Sequence, residues 1–137
     1  MFIRNCLSPK KDLTLLTPTM TIGETLKRLG TTHYSLPVVS EEGTFLGILS
    51  KRSILEYYKS QPDTISLYEL HQKNIEPCID TEANKFVDLS KGHFEDCLPI
   101  VVRYPFVPVL DGKKFVGIIK RSLIEKTLAS CFGVGVN

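Results

Sequence analysis

The chain has 137 residues, 42% hydrophobic and 23% charged, and its 17 Lys and Arg against 15 Asp and Glu leave a formal net charge of +2. That length holds one compact domain or two very small ones, and the apolar fraction is enough to offset chain entropy, which excludes disorder as the main state. The small charge argues against nucleic acid, which calls for a strongly basic face, and no apolar run approaches the roughly 20 residues of a membrane span.

The start, Met1-Phe2-Ile3-Arg4, lacks the apolar run of a secretory signal, so a cytoplasmic protein is expected. Cys6, Cys78, Cys97 and Cys131 contain no C-x-x-C pair. Free, mostly buried thiols in a reducing compartment are expected, and neither a zinc site nor a disulfide framework.

In chain order, Thr21-Ile22-Gly23-Glu24 reads as a capping box. Ile22, Leu26 and Leu29 follow at helical spacing, and Gly30 is the stop. Ser35–Val39 reads as a strand, Ser40-Glu41-Glu42-Gly43 as a turn and Thr44–Leu49 as a second strand. Lys51–Lys59 reads as a helix with Ile54, Leu55 and Tyr58 inward. Gln61-Pro62-Asp63 breaks it, and Ser66 with Glu69 caps a short helix to about Gln72.

Ile75–Ile79 is expected as a strand, followed by polar residues with a short strand at Phe86–Leu89. A helix is expected over Phe94–Val102, kinked or started late by Pro99. Phe106–Leu110, Asp111-Gly112 and Lys114–Ile119 form a hairpin, and Arg121–Cys131 the last helix. The tail Gly133–Asn137 is expected to be mobile. Pro37 and Pro108 are expected to end strand pairing at a sheet edge.

The chain repeats itself. Residues 36–56 read LPVVSEEGTFLGILSKRSILE, and residues 107–125 read VPVLDGKKFVGIIKRSLIE. In each, an h-Pro-Val-h strand is followed by a polar turn, a second apolar strand ending in Gly-Ile-h, and a basic dipeptide that opens a helix. Pro37 maps to Pro108 at an offset of 71 and Gly47 to Gly117 at an offset of 70, so the second turn is one residue shorter. Each half is too small to bury a good core alone. The reading is an α+β (α/β) chain of two repeats, 1–65 and 66–137, packed with pseudo-twofold symmetry.

A β-α-β-β-α unit with these signatures resembles the CBS domain, and two in tandem resemble a Bateman module. The resemblance covers essentially the whole chain, from Cys6-Leu7-Ser8-Pro9 to about Leu128. It is carried by Leu36-Pro37-Val38-Val39 with Gly47-Ile48-Leu49-Ser50, and by Val107-Pro108-Val109-Leu110 with Gly117-Ile118-Ile119. It implies a regulatory module that binds an adenine-containing ligand (AMP, ADP, ATP, S-adenosylmethionine or cyclic di-AMP) in clefts between the repeats. With no further domain to regulate in cis, the chain looks like stand-alone bacterial pairs, some of which bind cyclic di-AMP. A homodimer and a regulated protein in trans are implied, with no covalent cofactor.

The resemblance also implies where a ligand sits. One cleft would use Thr14, Thr17, Tyr34, Ser35 and Leu36 with Lys120 and Arg121. The other would use Cys78, Ile79, Pro105, Phe106 and Val107 with Ser50, Arg52 and Ser53. The chemistry fits these residue types. Strand-end backbone reads an adenine edge, and an apolar residue such as Leu36 or Val107 packs on its face. A basic side chain at a helix start lies where N–H dipoles favour an anion, and arginine adds bidentate phosphate contacts.

The family's terminal Asp, which grips ribose hydroxyls, is replaced by Ser53 in the first copy and Leu123 in the second. A second alignment deletes Ser50, matches Lys51-Arg52-Ser53 with Lys120-Arg121-Ser122, and puts Ser122 there instead. A carboxylate is absent in both.

Bland readings stand beside these. Surface Lys and Arg are commonly only solvated, Tyr34 serves equally in packing, and Phe106 serves as core. His33 lies beside the first residue set, whereas His71 and His93 read as surface or cap residues. Glu41-Glu42 is a solvated turn. No metal-ligand cluster, Ser/His/Asp set, Walker loop or paired carboxylates appear, so no catalytic or metal-binding residue is assigned. A competing reading is a ligand-free interaction module that dimerises through apolar helix faces (Leu26, Leu29, Ile54, Tyr58, Leu128).

Overall fold

The computed structural model describes residues 3–81 and 85–131. The chain is mixed α/β. In order, its strands and helices are β1 (Ser8–Pro9), α1 (Ile22–Leu29), β2 (Ser35–Val39), β3 (Phe45–Ser50), α2 (Lys51–Ser60), α3 (Leu67–Gln72), β4 (Val87–Asp88), α4 (Leu98–Val101), β5 (Phe106–Asp111), β6 (Lys114–Lys120) and α5 (Arg121–Cys131). They fall into two compact units. One is Thr14–Asn84, and the other joins Met1–Leu13 to Lys85–Asn137.

In the Thr14–Asn84 unit, the Thr21 hydroxyl accepts the Glu24 N–H at 3.2 Å and starts α1. Gly30 ends it at φ 54°, where its own N–H bonds Leu26 O. Ile22 and Leu29 go fully into the core. β2 and β3 then pair antiparallel, with Leu36 opposite Leu49, Val38 opposite Gly47 and a bulge after Val38. All five residues of β2 are buried because it lies between β3 on one side and the Leu16 segment, bridged in parallel to Val38, on the other.

Pro37 is therefore inside a central strand and not at a sheet edge. It fits there because the bridge to Leu16 uses the Pro37 carbonyl as acceptor and the Val39 N–H as donor, so no proline N–H is needed. Pro108 occupies the same place in β5, which lies between β6 and β4.

α2 turns Ile54 inward, but Leu55 is 68% exposed. One residue moves a side chain about 100° round a helix, so the two cannot share a face. α3 starts at Ser66, whose hydroxyl accepts the Glu69 N–H. The strand expected at Ile75–Ile79 is a 3-10 turn over Glu76–Cys78. Pro77 lacks the donor a strand ladder needs, so pairing waits until Asp80, which exchanges backbone bonds with Ile48 of β3 at 2.8 and 3.3 Å.

The other unit builds a four-stranded sheet in the order β1-β6-β5-β4. β5 and β6 repeat the hairpin, with Val107 opposite Ile119, Val109 opposite Gly117 and a bulge after Val109. β4 pairs in parallel with β5, Val87 beside Val109, as Leu16 lies beside Val38. It is shorter than the expected Phe86–Leu89, and Phe86 is exposed. β1 pairs with β6, Ser8 beside Ile118, as Asp80 lies beside Ile48.

The expected helix over Phe94–Val102 divides into a 3-10 turn, Phe94–Cys97, and α4. Pro99 stands in the first turn of α4, the one place where a helix tolerates it. Ile3, Cys6, Val87, Phe94, Cys97, Val107, Val109, Ile119 and Ile124 form this unit's core. The tail Gly133–Asn137 lies outside the described residues.

Two glycines mark where the crossing chain presses on each hairpin. A Cβ on Gly47 would stand 2.6 Å from Asp80 O and 2.7 Å from Ile79 Cγ2. A Cβ on Gly117 would press on Ser8 O and on Leu7 Cδ1. Each glycine is kept by a backbone passing directly over it.

Candidate functional site

The two hairpins bring their following helices out in one register. Ser35 stands opposite Ser50 and Phe106 opposite Lys120. Ser50 and Lys120 are thus equivalent, as are Lys51 and Arg121, and Ser53 and Leu123. Backbone bonds repeat the match: Lys51 N–H to Tyr34 O and Arg121 N–H to Pro105 O, both 3.0 Å. The side chains do so too. Lys51 Nζ donates to Gly30 O at 2.8 Å, and Arg121 Nε donates to Val101 O at 2.8 Å. This geometry selects the alignment that keeps Ser50 and sets aside the one that deletes it.

The two helix starts differ chemically. At α2 the Ser50 hydroxyl accepts the Ser53 N–H at 3.0 Å, and the Ser53 hydroxyl accepts the Ser50 N–H at 3.0 Å. Ser53 also donates to Ser50 O at 2.8 Å. Ser53 spends its hydroxyl closing the cap. Arg52 pairs with Glu56 at 3.0 Å on the open face of the helix, with side chains 77% and 65% exposed. Such a pair adds little to stability.

At α5, the Lys120 and Ser122 side chains are exposed and make no hydrogen bond or ion pair with any described residue. Arg121 is half-buried and held through Nε alone. Leu123 packs against its own unit's core.

The strand residues differ as well. Ser35 is 7% exposed, and its hydroxyl has no hydrogen-bond partner among the described residues. Its register equivalent, Phe106, is a buried core residue. Leu36 and Val107, expected to pack on an adenine face, are buried in the cores of their own units. Tyr34 and Pro105 are exposed, Thr14 is exposed, and Thr17 is half-buried with Oγ1 3.4 Å from Thr19 Oγ1.

Cys78 and Ile79 were carried over as the segment leading into the second repeat, but the segment beside β5 is Val87–Asp88. Cys78 and Ile79 instead approach β3 just before Asp80 pairs with it. The signal for this was present as a third echo in the sequence: Cys6-Leu7-Ser8 and Cys78-Ile79-Asp80, spaced by 72 residues. Cys6 and Cys78 are both buried cysteines. Burial pushes the Cys78 thiol up to about 11.

His71 and His93 are exposed, and the His93 N–H donates to Asp96 Oδ2 at 2.8 Å at the start of the Phe94–Cys97 turn. Leu29 and Ile54, counted above as part of a dimerising face, are core residues with 0% and 4% exposure. A shallow groove of about 460 Å³ between α1 and α3 is lined by Glu24, Lys27, His71 and Gln72 among others, and no lining residue belongs to the predicted set. Among the described residues, no cluster of His, Cys, Asp and Glu is arranged to hold a metal, and no helix is long and apolar enough to cross a membrane.

Comparison with known proteins agrees with this architecture. Residues 3–60 match the model of the CBS domain, and the chain as a whole has the fold of a CBS-domain pair. A crystal structure of CbpB in complex with c-di-AMP matches at TM-score 0.81 and 23% identity, covering 97% of this chain and 87% of that one. A CBS domain protein from Streptococcus pneumoniae TIGR4 matches at TM-score 0.80 and 25% identity, over 94% and 87% of the two chains. A crystal structure of CBSX2 in complex with AMP matches at TM-score 0.74 and 17% identity, over 96% and 98%. No curated protein matches the chain in sequence.

Proposed function

We propose that this chain is a non-enzymatic regulatory module. It takes an adenine nucleotide in the cleft between its two repeats, 1–65 and 66–137, and signals to a separate protein. The observation that carries this reading is the basic residue each hairpin delivers to the first position of the next helix, Lys51 and Arg121. A cation there opposes the helix dipole, and a bound phosphate removes the conflict. Similar folds that hold c-di-AMP and AMP support the same guest class.

Among adenine nucleotides, c-di-AMP suits the residues best. AMP, ADP and ATP present a vicinal ribose diol, which a carboxylate acceptor recognises, and the two positions for one hold Ser53 and Leu123. In a cyclic dinucleotide each 3′-oxygen is already esterified, so no diol asks for that acceptor. The module would work as a cytoplasmic homodimer, with the guest favouring one arrangement over another and so changing affinity for the partner protein.

A thermal-shift series with AMP, ATP and c-di-AMP tests the reading. A ligand that binds only the native state stabilises it by RT ln(1 + [L]/Kd), so Tm rises with the logarithm of the ligand's excess over Kd. The expected order is c-di-AMP above AMP and ATP, and unchanged Tm with all three would remove the proposal. The absent carboxylate, together with exposed Leu67 and Tyr68 on α3, favours the second reading of a ligand-free interaction module. That reading predicts self-association or partner binding with no thermal shift.

A further inference from the structure

We infer that one end of the four-stranded sheet is a docking surface for an extended acidic segment of another protein. This rests on the reading of the chain as a module that signals to a separate protein, and it specifies the chemistry of that partner.

The small net charge hides a division. Thr14–Asn84 carries six Lys and Arg against nine Asp and Glu, a net of −3, and the rest of the chain carries eleven against six, a net of +5. Strand register gathers much of the excess at one place. β1 runs antiparallel to β6, Ser8 beside Ile118 and Pro9 beside Gly117, so the Lys10–Asp12 turn that follows heads toward Lys114, where β6 opens. β5 ends at Asp111 beside Lys114, and the turn between them carries Lys113. β4 runs parallel to β5, so it leaves the sheet at the same end and delivers Lys91. Asp88 ties these last two turns together. Its carboxylate is bonded by the Ser90 hydroxyl, by the Lys91 and Ser90 N–H groups and by the Gly112 N–H, which together hold its pKa below the ordinary value.

Three features select the occupant. First, the side chains of Lys10, Lys11, Lys91 and Lys113 are exposed and make no hydrogen bond or ion pair with any described residue. Asp88, the carboxylate in their midst, is already spent on its donors. Like charges gathered this way favour an anionic partner and speed its arrival. Second, Asp12 and Asp111 stand exposed among the lysines. A flexible peptide can seat its carboxylates on the lysines and keep clear of these two, whereas a flat anionic membrane or a rigid duplex presents charge to both. Third, the exposed aromatics Tyr34, Tyr68 and Phe86 all lie outside these turns, so the surface has no platform on which the bases of a single strand could stack. The matching turn of the other hairpin, Ser40–Gly43, carries Glu41 and Glu42, so the surface belongs to one repeat alone. It lies at the far end of β6 from Lys120, about 20 Å along a strand of this length, and shares no residue with the set assigned to the nucleotide.

Fluorescence anisotropy of the full chain with a labelled peptide of about ten glutamates tests the surface, with anionic phosphatidylserine vesicles and a duplex oligonucleotide as parallel probes. At low salt the peptide is expected to bind more tightly than either other probe, and added salt to weaken it. The double variant Lys91→Glu/Lys113→Glu is expected to weaken peptide binding by about tenfold, since each change replaces an attraction by a repulsion. Lys27→Glu/Lys59→Glu, the same charge change on exposed residues of the Thr14–Asn84 unit, is expected to leave it within about twofold. No peptide binding, an equal loss in both double variants, or tighter binding of vesicles or duplex than of peptide would each overturn the inference. The thermal shift with c-di-AMP reads the nucleotide separately: it is expected to be the same in Lys91→Glu/Lys113→Glu as in wild type, and a shift abolished by that variant would overturn the separation of the two surfaces.

Discussion

Arg121 is anchored through one atom and leaves others for the proposed guest. Nε holds Val101 O at 2.8 Å, which fixes the side chain, and the Nη groups face no described partner. Arg121→Ala is expected to weaken nucleotide binding by about 1.5–3 kcal/mol, the range of a lost charge-assisted hydrogen bond. Arg121→Lys keeps the charge and loses the planar fork, so it should recover only part of the affinity. Calorimetric titration of both variants checks this, and equal affinity in wild type and Arg121→Ala would contradict it. Gly47 and Gly117 make a separate claim about the fold. Gly47→Ala would force a methyl within 2.6 Å of Asp80 O, a contact a backbone atom cannot relieve without shifting. Overpacking of this kind costs about 1–3 kcal/mol. Urea denaturation of Gly47→Ala and Gly117→Ala should show both destabilised, and a variant as stable as wild type would mean the crossing segment is not held there.

At the level of elements, the caps are quantitative commitments. Ser50→Ala removes the acceptor for the Ser53 N–H and is expected to cost about 1 kcal/mol, the usual value of an N-cap, read as a lower urea midpoint. The elements easiest to read in the sequence were those closed by local chemistry. Thr21 with Glu24, Ser66 with Glu69, and the paired Pro-Val hairpins lie within a few residues of what they determine, and α1, β2 and α5 fall where their patterns put them. What was harder depended on distant chain. Ile75–Ile79 is apolar enough for a strand, but Pro77 and the pairing of Asp80 with Ile48 make it a turn and a bridge. Leu55 follows an apolar neighbour in a helix whose buried face admits only Ile54 fully. For the candidate site, the basic residues at the helix starts were legible from composition. Their partners were not: the Arg52–Glu56 pair, the Ser50–Ser53 cap and the orphan Ser35 hydroxyl appear only when neighbouring side chains are in place.

On the scale of the whole chain, each compact unit contains a buried thiol pushed up to about 11. Cys78 is raised by burial alone, and Cys97 by burial first and then by the neighbouring Asp96, Cys6 and Glu95. The sign follows from the protons bound. Between the ordinary thiol value of 9.0 and about 11 the unfolded chain has lost protons that the folded chain keeps, so stability falls as pH rises through this window. The contribution is fully present below pH 9. Urea midpoints measured from pH 8 to 11 should decline, and the decline should be shallower in Cys78→Ala. An identical slope in the variant would contradict the burial of that thiol.

The nucleotide itself is the most direct test of the account. Isothermal titration of the wild-type chain, stripped of any co-purified small molecule, should give saturable heat with c-di-AMP, weaker heat with AMP, and a loss of affinity in Arg121→Ala. Flat thermograms with c-di-AMP, AMP and ATP alike would contradict the proposal that this chain binds an adenine nucleotide.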